Sequence, residues 1–206
     1  MILGIITGLA AEARLARPLG LARAGGGLPD GAEAAAEWLA GQGVEGLVSF
    51  GLAGGLDPAL RPGDLVVPHS VREGDRVTAT DPRLSARFGP PGGMLLAGTA
   101  VVADAGEKAR LFERTGAIAI DLESGAVARV AMRHGLPFAV LRAICDPAER
   151  TLPPAALAAL DNAGVIGIAR VLASVARHPG QVPGLIALGR DAAAARAALK
   201  RRVQAA

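Results

Sequence analysis

The sequence predicts an α/β fold built on a central, largely parallel sheet. Apolar runs of strand length recur at 2–6, 46–50, 64–71, 95–102, 117–121 and 137–144. Between several of them lie Ala-rich segments with helical spacing, at 31–41, 106–115 and 124–134, and strands alternating with helices of this length feed a parallel sheet. Composition agrees. The chain is 51% hydrophobic but only 2% aromatic, so its core is made of Ala, Val, Leu and Ile, which let helices lie close on a sheet. At 206 residues a single domain spanning 1–206 is expected.

Taken in order, Met1-Ile-Leu-Gly-Ile-Ile6 reads as an immediate strand, without the charged segment and cleavage site of a secretory leader. A Gly-rich stretch at 24–27 precedes the helix at 31–41. Phe50-Gly-Leu-Ala-Gly-Gly-Leu56 follows the strand at 46–50 as a glycine loop. The more polar 64–77 either extends the sheet or folds as a hairpin. The run at 95–102 ends in Val102-Ala103-Asp104-Ala105-Gly106, and the helix at 106–115 follows. The strand at 117–121 ends in a carboxylate pair, Asp121 and Glu123, and the helix at 124–134 starts beside it. The strand at 137–144 then delivers Asp146 at its end. Pro153-Pro154 signals a helix over about 155–176. His178-Pro-Gly180 and Pro183-Gly184 break the chain before a last amphipathic helix at about 185–203.

Charge and cysteine usage exclude several function classes. The formal charge is +3 and its excess sits at the C-terminus, where Arg190, Arg196, Lys200, Arg201 and Arg202 face only Asp191. No basic stripe is interleaved with aromatics, which argues against nucleic acid as a partner. The lone Cys145 precludes an intrachain disulfide and suits a reducing cytoplasm. No apolar run reaches the length of a membrane span. His69, His134 and His178 have no metal-ligand spacing, so neither a metal nor another cofactor is expected.

Carboxylates at the carboxyl ends of buried strands stand where open α/β sheets build ligand sites, and burial raises their pKa toward neutrality. Asp146 is therefore a candidate general acid, although Asp146-Pro147 also suits a simple turn or cap. Glu123 either accepts hydrogen bonds from vicinal sugar hydroxyls or merely complements a helix dipole. Paired carboxylates of this kind suit the splitting of a glycosidic bond. Trp38 reads as packing, and Phe138 as core.

Asp121-Leu-Glu-Ser-Gly-Ala-Val-Ala128 resembles a D-M-E-x-x-A-x-A box, and Arg142-Ala-Ile-Cys-Asp146 resembles an R-x-I-S-D box. Both belong to the superfamily of purine nucleoside phosphorylases and methylthioadenosine/S-adenosylhomocysteine nucleosidases. The resemblance implies a three-layer α/β/α sandwich around a mixed central sheet, assembled as a homodimer or larger, acting on an adenine nucleoside. It makes Asp146 the donor of a proton to the leaving purine and Glu123 the holder of the ribose, with Leu122 as an apolar wall. Gly51, Ala53 and Gly54, in a stretch resembling the G-[ST]-[AC]-G-G loop, would line the nucleophile side. Leu52 replaces a hydroxyl often used on phosphate. Ala103 and Asp104 would face the base through backbone atoms, and Cys145 stands where the family has a Ser. Met1 to Glu12 reads against the opening of the methylthioadenosine nucleosidases, where a Glu activates water; otherwise Glu12 is a solvated helix residue. Arg14, Arg17 or Arg23 could instead turn inward to hold phosphate as co-substrate, so water and phosphate both stay open.

Ser49-Phe-Gly-Leu-Ala-Gly-Gly55 and Ala119-Ile-Asp-Leu-Glu-Ser124 are most similar to the hopanoid-associated phosphorylases. That likeness implies release of adenine from adenosylhopane, a lipid-linked substrate. A methylthioadenosine/S-adenosylhomocysteine nucleosidase, a general purine nucleoside phosphorylase and a non-catalytic nucleoside binder are the alternatives. The C-terminal helix, with Leu185, Ile186, Leu188, Leu199 and Val203 beside its basic residues, either lies peripherally on the inner membrane or packs on the domain.

Overall fold

The structure, a computed structural model, describes residues 1–159 and 177–205. Its elements are β1 (Leu3–Thr7), α1 (Ala10–Ala16), β2 (Gly20–Ala24), α2 (Pro29–Ala40), β3 (Gly46–Gly55), β4 (Leu65–Val66), β5 (Ser70–Glu73) and β6 (Arg76–Ala79). There follow α3 (Pro82–Ala86), β7 (Met94–Ala97), α4 (Ala105–Thr115), β8 (Ala119–Asp121), α5 (Ser124–His134), β9 (Phe138–Asp146), α6 (Pro154–Ala159) and α7 (Val182–Ala205). One mixed sheet runs in the order β2-β1-β3-β8-β7-β5-β6, with β9 paired to β3 and β4 to β9. The first half of β3 lies parallel to both β1 and β9, while Gly54 and Gly55 pair antiparallel with β8. The C-terminal ends of β3, β8 and β9 thereby converge.

Strand alternation divides the apolar side chains between two faces. Leu3, Ile5, Val48, Phe50, Leu141 and Ala143 join Ala16 of α1 and Ala195, Leu199 and Val203 of α7 in one cluster. Ile6, Leu47, Val140 and Ile144 join Ala32, Ala36 and Leu39 of α2 and Val127 and Val130 of α5 in the other. These are the three layers expected. Gly4 permits the close α2 contact, since a Cβ there would stand 2.9 Å from the Leu47 side chain and 3.1 Å from Leu39. Local signals end the helices. Pro29 opens α2, the Asp104 side chain accepts from the Glu107 N–H at 2.9 Å to cap α4, and Gly116 and Gly135 close α4 and α5 in the left-handed region.

Several boundaries differ from the sequence expectation. The glycine loop at 50–56 is in large part strand, because β3 continues to Gly55 with a bulge between Ala53 and Gly54. The run at 95–102 ends early, with β7 stopping at Ala97 and 98–104 forming a loop. Residues 20–24, not among the strands expected, form an edge strand. The polar 64–77 resolves into β4 and a β5–β6 hairpin. Of the helix expected at 155–176, α6 covers the start, and 160–176 lie outside the described residues. Trp38 is 47% exposed, with the Arg23 guanidinium 4.6 Å over its ring, rather than packed inside. No helix among the described residues is long and apolar enough to cross a membrane.

Candidate active site

Where β3, β8 and β9 converge, the sheet buries more charge than an apolar core tolerates without pairing. Arg142 on β9 is 1% exposed and faces the α5 side between the apolar Val140 and Ile144. Its Nη2 lies 2.6 Å from Asp121 Oδ2 and 2.9 Å from Glu123 Oε2, and donates to Ser49 Oγ at 2.7 Å. Its Nη1 donates to the Leu52 carbonyl at 3.2 Å. The Ser124 hydroxyl donates to Asp121, and the Ser124 N–H donates to the same carboxylate at 3.2 Å. Asp121 is therefore committed to structure, and Arg142 is the hub that holds Glu123 in place.

Glu12, on the first turn of α1, is buried against this hub. It accepts from the Leu9 N–H at 3.0 Å and, across to β3, from the Leu52 N–H at 3.3 Å. Burial raises its pKa above the ordinary carboxylate value, against the opposing pull of those N–H groups and Arg142. Gly51 makes the approach possible. Its φ is +152°, and a Cβ there would stand 2.8 Å from Arg142 Nη1 and 2.9 Å from Glu12 Oε2. Glu123 is buried too, and its carboxyl is pushed up to about 7 by burial, with Arg142 opposing and Asp121 and Glu12 adding repulsion. Its Oε1 occupies space that a Cβ on Gly8 would enter, at 2.5 Å. The Gly-rich stretch borders the same spot, where Gly26 donates to the Gly8 carbonyl at 3.0 Å.

Asp146 ends β9 beside this cluster. Its Oδ2 lies 2.6 Å from Lys108 Nζ on α4, and its Oδ1, although buried, has no hydrogen-bond partner among the described residues. Burial raises its pKa and Lys108 pulls it down. Gly54 lies alongside, 3.8 Å from Asp146 Oδ2 when measured from a Cβ built on it.

The structure thus gathers Glu12, Gly51, Ala53, Gly54, Glu123 and Asp146 at one end of the sheet, with half-buried Leu122 between Asp121 and Glu123. The remaining candidates, Cys145, Ala103 and Asp104, have partners of their own. The Cys145 thiol donates to the Ala53 carbonyl at 3.6 Å, and burial pushes it up to about 12. The exposed carboxylate of Asp104 is spent on capping α4, and the Ala103 carbonyl accepts from the Leu152 N–H at 2.8 Å. Both residues line a groove of about 460 Å³ with Val101, Val102 and Ile120. Ile120 meets Gly54 from that side.

Two partners escaped the sequence reading. Arg142 carried a signal, since a charged residue within an apolar strand needs buried partners. Lys108 carried none that stood out, because a lysine in the first turn of a helix reads as solvated.

Chemically, one carboxylic acid with an unengaged oxygen stands on one side of the site, and a second carboxylate, steered by an arginine, sits where diol hydroxyls could be accepted. A third, of raised pKa, can take a proton from an attacking water. Arg14 and Arg17 are exposed on the surface, and Arg23 is stacked over Trp38.

Comparison with known proteins gives three findings. The family profile of the phosphorylase superfamily matches residues 11–92 and 90–177. A 5′-methylthioadenosine/S-adenosylhomocysteine nucleosidase from Halalkalibacterium halodurans is 29% identical over 159 residues, which cover 64% of this chain and 68% of the relative. Among solved structures, the corresponding Helicobacter pylori nucleosidase bound to butyl-thio-DADMe-Immucillin-A matches with a TM-score of 0.67 at 16% identity, over 99% of this chain and 98% of that one. The nucleosidase from Colwellia psychrerythraea in complex with adenine gives 0.65 at 21% identity, over 86% and 95%. These structural likenesses establish the shared fold.

Proposed function

Because the chain belongs to the phosphorylase superfamily, we propose that it hydrolyses the N-glycosidic bond of an adenine nucleoside. Asp146 donates a proton from Oδ1 to a ring nitrogen of the purine, so that the base leaves with the electron pair of the C–N bond. Glu123 holds the ribose hydroxyls, and its negative charge steadies the cationic sugar. Glu12 orients a water and accepts its proton as the oxygen bonds to the anomeric carbon. The observation that carries water over phosphate is the allocation of cations. Both Nη groups of Arg142 are engaged, by Asp121, Glu123, Ser49 and the Leu52 carbonyl, while Arg14, Arg17 and Arg23 are exposed. A phosphate dianion would meet Glu12 and Glu123, and among the described residues the one guanidinium at that spot is already paired with carboxylates.

The finer reading concerns the substituent on the ribose. The boxes at 49–55 and 119–124 support adenosylhopane, and the exposed basic residues of α7 (Arg190, Arg196, Lys200 and Arg201) suit a peripheral approach to an anionic membrane where such a lipid resides. The nucleosidase relatives favour methylthioadenosine or S-adenosylhomocysteine instead. Incubation with adenosine, methylthioadenosine, S-adenosylhomocysteine and detergent-dispersed adenosylhopane, each with and without phosphate, tests both levels. Free adenine and a reducing sugar are expected without phosphate, with adenosylhopane giving the highest kcat/KM. Strict phosphate dependence with a sugar 1-phosphate as product would sink the hydrolytic reading. A clear preference for methylthioadenosine would replace the lipid-linked one.

A further inference from the structure

The chain's lysines are Lys108 and Lys200, all its other basic side chains being arginines or histidines. Lys200 is exposed on α7, but Lys108 is 0% exposed. A fully buried ammonium is tolerated only where each of its donors finds an acceptor. Lys108 Nζ donates to Asp146 Oδ2 at 2.6 Å, to the Pro147 carbonyl at 3.1 Å and to the Arg150 carbonyl at 2.9 Å. Three acceptors match the three hydrogens of a charged amine, and two of the three belong to the turn that follows Asp146. Arginine, planar and forked, could not point three donors at so compact a set.

The consequence falls on the carboxyl group. Its two oxygens are unequal, with Oδ2 held by the ammonium and Oδ1 without a partner among the described residues. A carboxylic acid so pinned cannot rotate its proton onto the wrong oxygen. We propose that Lys108 is the positioning residue for Asp146, fixing Oδ1 as the oxygen that delivers the proton and stabilising the carboxylate left after delivery. This inference rests on the reading of Asp146 as the acid. In the step itself the Oδ1–H bond breaks, an N–H bond forms on the purine, and the resulting negative charge lies beside the Lys108 ammonium.

Charged and titratable groups from each neighbouring element face Asp146. They are Lys108 from α4, Arg150 from the turn after β9, Asp191 from α7, and Cys145 on β9 itself. Arg150 and Asp191 pair with each other, and the Cys145 thiol stays protonated through the neutral range. Lys108 is thus the cation bonded directly to the acid.

The test is the pH profile of kcat/KM for whichever nucleoside the protein cleaves fastest. Asp146→Asn establishes the acid, with a loss of roughly 10²-fold or more expected. In Lys108→Met the rate should fall by about tenfold or more, and its basic limb should move to higher pH, because an acid relieved of a neighbouring cation keeps its proton longer. In the Asp146→Asn background the same substitution should add less than about threefold, since the two residues act as a unit. An unmoved limb, or equal losses in both backgrounds, overturns the proposal and leaves Lys108 a packing residue. Normal turnover by Asp146→Asn would overturn the reading beneath it and the proposal together. If Lys108→Met does not fold, wild-type protein carrying ¹³C at the lysine ε-carbon serves instead. The Lys108 signal should inflect at the midpoint of the basic limb while that of Lys200 does not, and a flat Lys108 signal overturns the proposal.

Discussion

The role proposed for Glu123 ties sugar binding to its charge state. Buried with Asp121 and Glu12 around a single guanidinium, it is pushed up to about 7. Only the ionised form accepts hydrogen bonds from both ribose hydroxyls while still receiving one from Arg142. Protonation, favoured below that pH, replaces an acceptor with a donor. The preference for ribosides over 2′-deoxyribosides, taken as the ratio of kcat/KM values, should therefore grow as pH rises through about 7. In Glu123→Gln that ratio should be small and flat with pH. If the wild-type ratio is insensitive to pH, or the variant retains it, Glu123 does not hold the sugar.

The element that organises the site is β3. Its residues Gly46 to Ser49 pair with β1 and Gly54 to Gly55 with β8, while β9 runs along it from Leu47 to Gly54 with a bulge at Ala53/Gly54. The pattern of alternating apolar runs and Ala-rich helices makes the alternation of strands and helices readable, and it places Glu123 and Asp146 at strand ends, whereas Glu12 is singled out only by the resemblance of Met1 to Glu12. It does not reveal β2, whose residues are only partly buried, nor the extension of β3, whose glycines look like a loop because they lack the side chains that mark a strand. Partnerships across the sheet are likewise hidden. Lys108 lies 38 residues from Asp146 in the chain, and nothing in its helix discloses the pairing. Gly51 tests the element directly. A methyl group there meets Arg142 and Glu12 together, in a backbone conformation that side chains rarely adopt. Gly51→Ala should cost about 1–3 kcal/mol of stability by overpacking and lower kcat/KM by at least about tenfold, roughly 1.4 kcal/mol of transition-state stabilisation. Thermal melting and steady-state kinetics check both. Unchanged kinetics in a folded variant would show that the spacing between Glu12 and Arg142 is not needed for turnover.

At the scale of the whole molecule, α7 has to be assigned between packing and membrane contact. Leu199 and Val203, counted from sequence among the apolar residues of a membrane helix, are instead buried with Ala195 and Ala198 against β9, β3 and α1. Burying a Leu or Val side chain contributes roughly 1.5–3 kcal/mol, so the helix closes one outer layer of the sandwich. Arg190, Arg196, Lys200 and Arg201 stay exposed on it, and Ile186 and Val182 are the large apolar side chains left exposed toward its start. A surface of this kind can attract an anionic bilayer by charge, at about 1 kcal/mol per basic residue near it, without inserting a continuous apolar face. Two variants separate the roles. Deleting 183–206 should abolish soluble folded protein, because it uncovers the core. Replacing Arg196, Lys200 and Arg201 with Gln should leave melting temperature and hydrolysis of a small nucleoside within error of wild type. The same replacement should reduce sedimentation with anionic liposomes, and added salt should reduce it in the wild type alone. A soluble, well-folded truncation would refute the packing role, and identical liposome binding by wild type and the Gln variant would refute the membrane one.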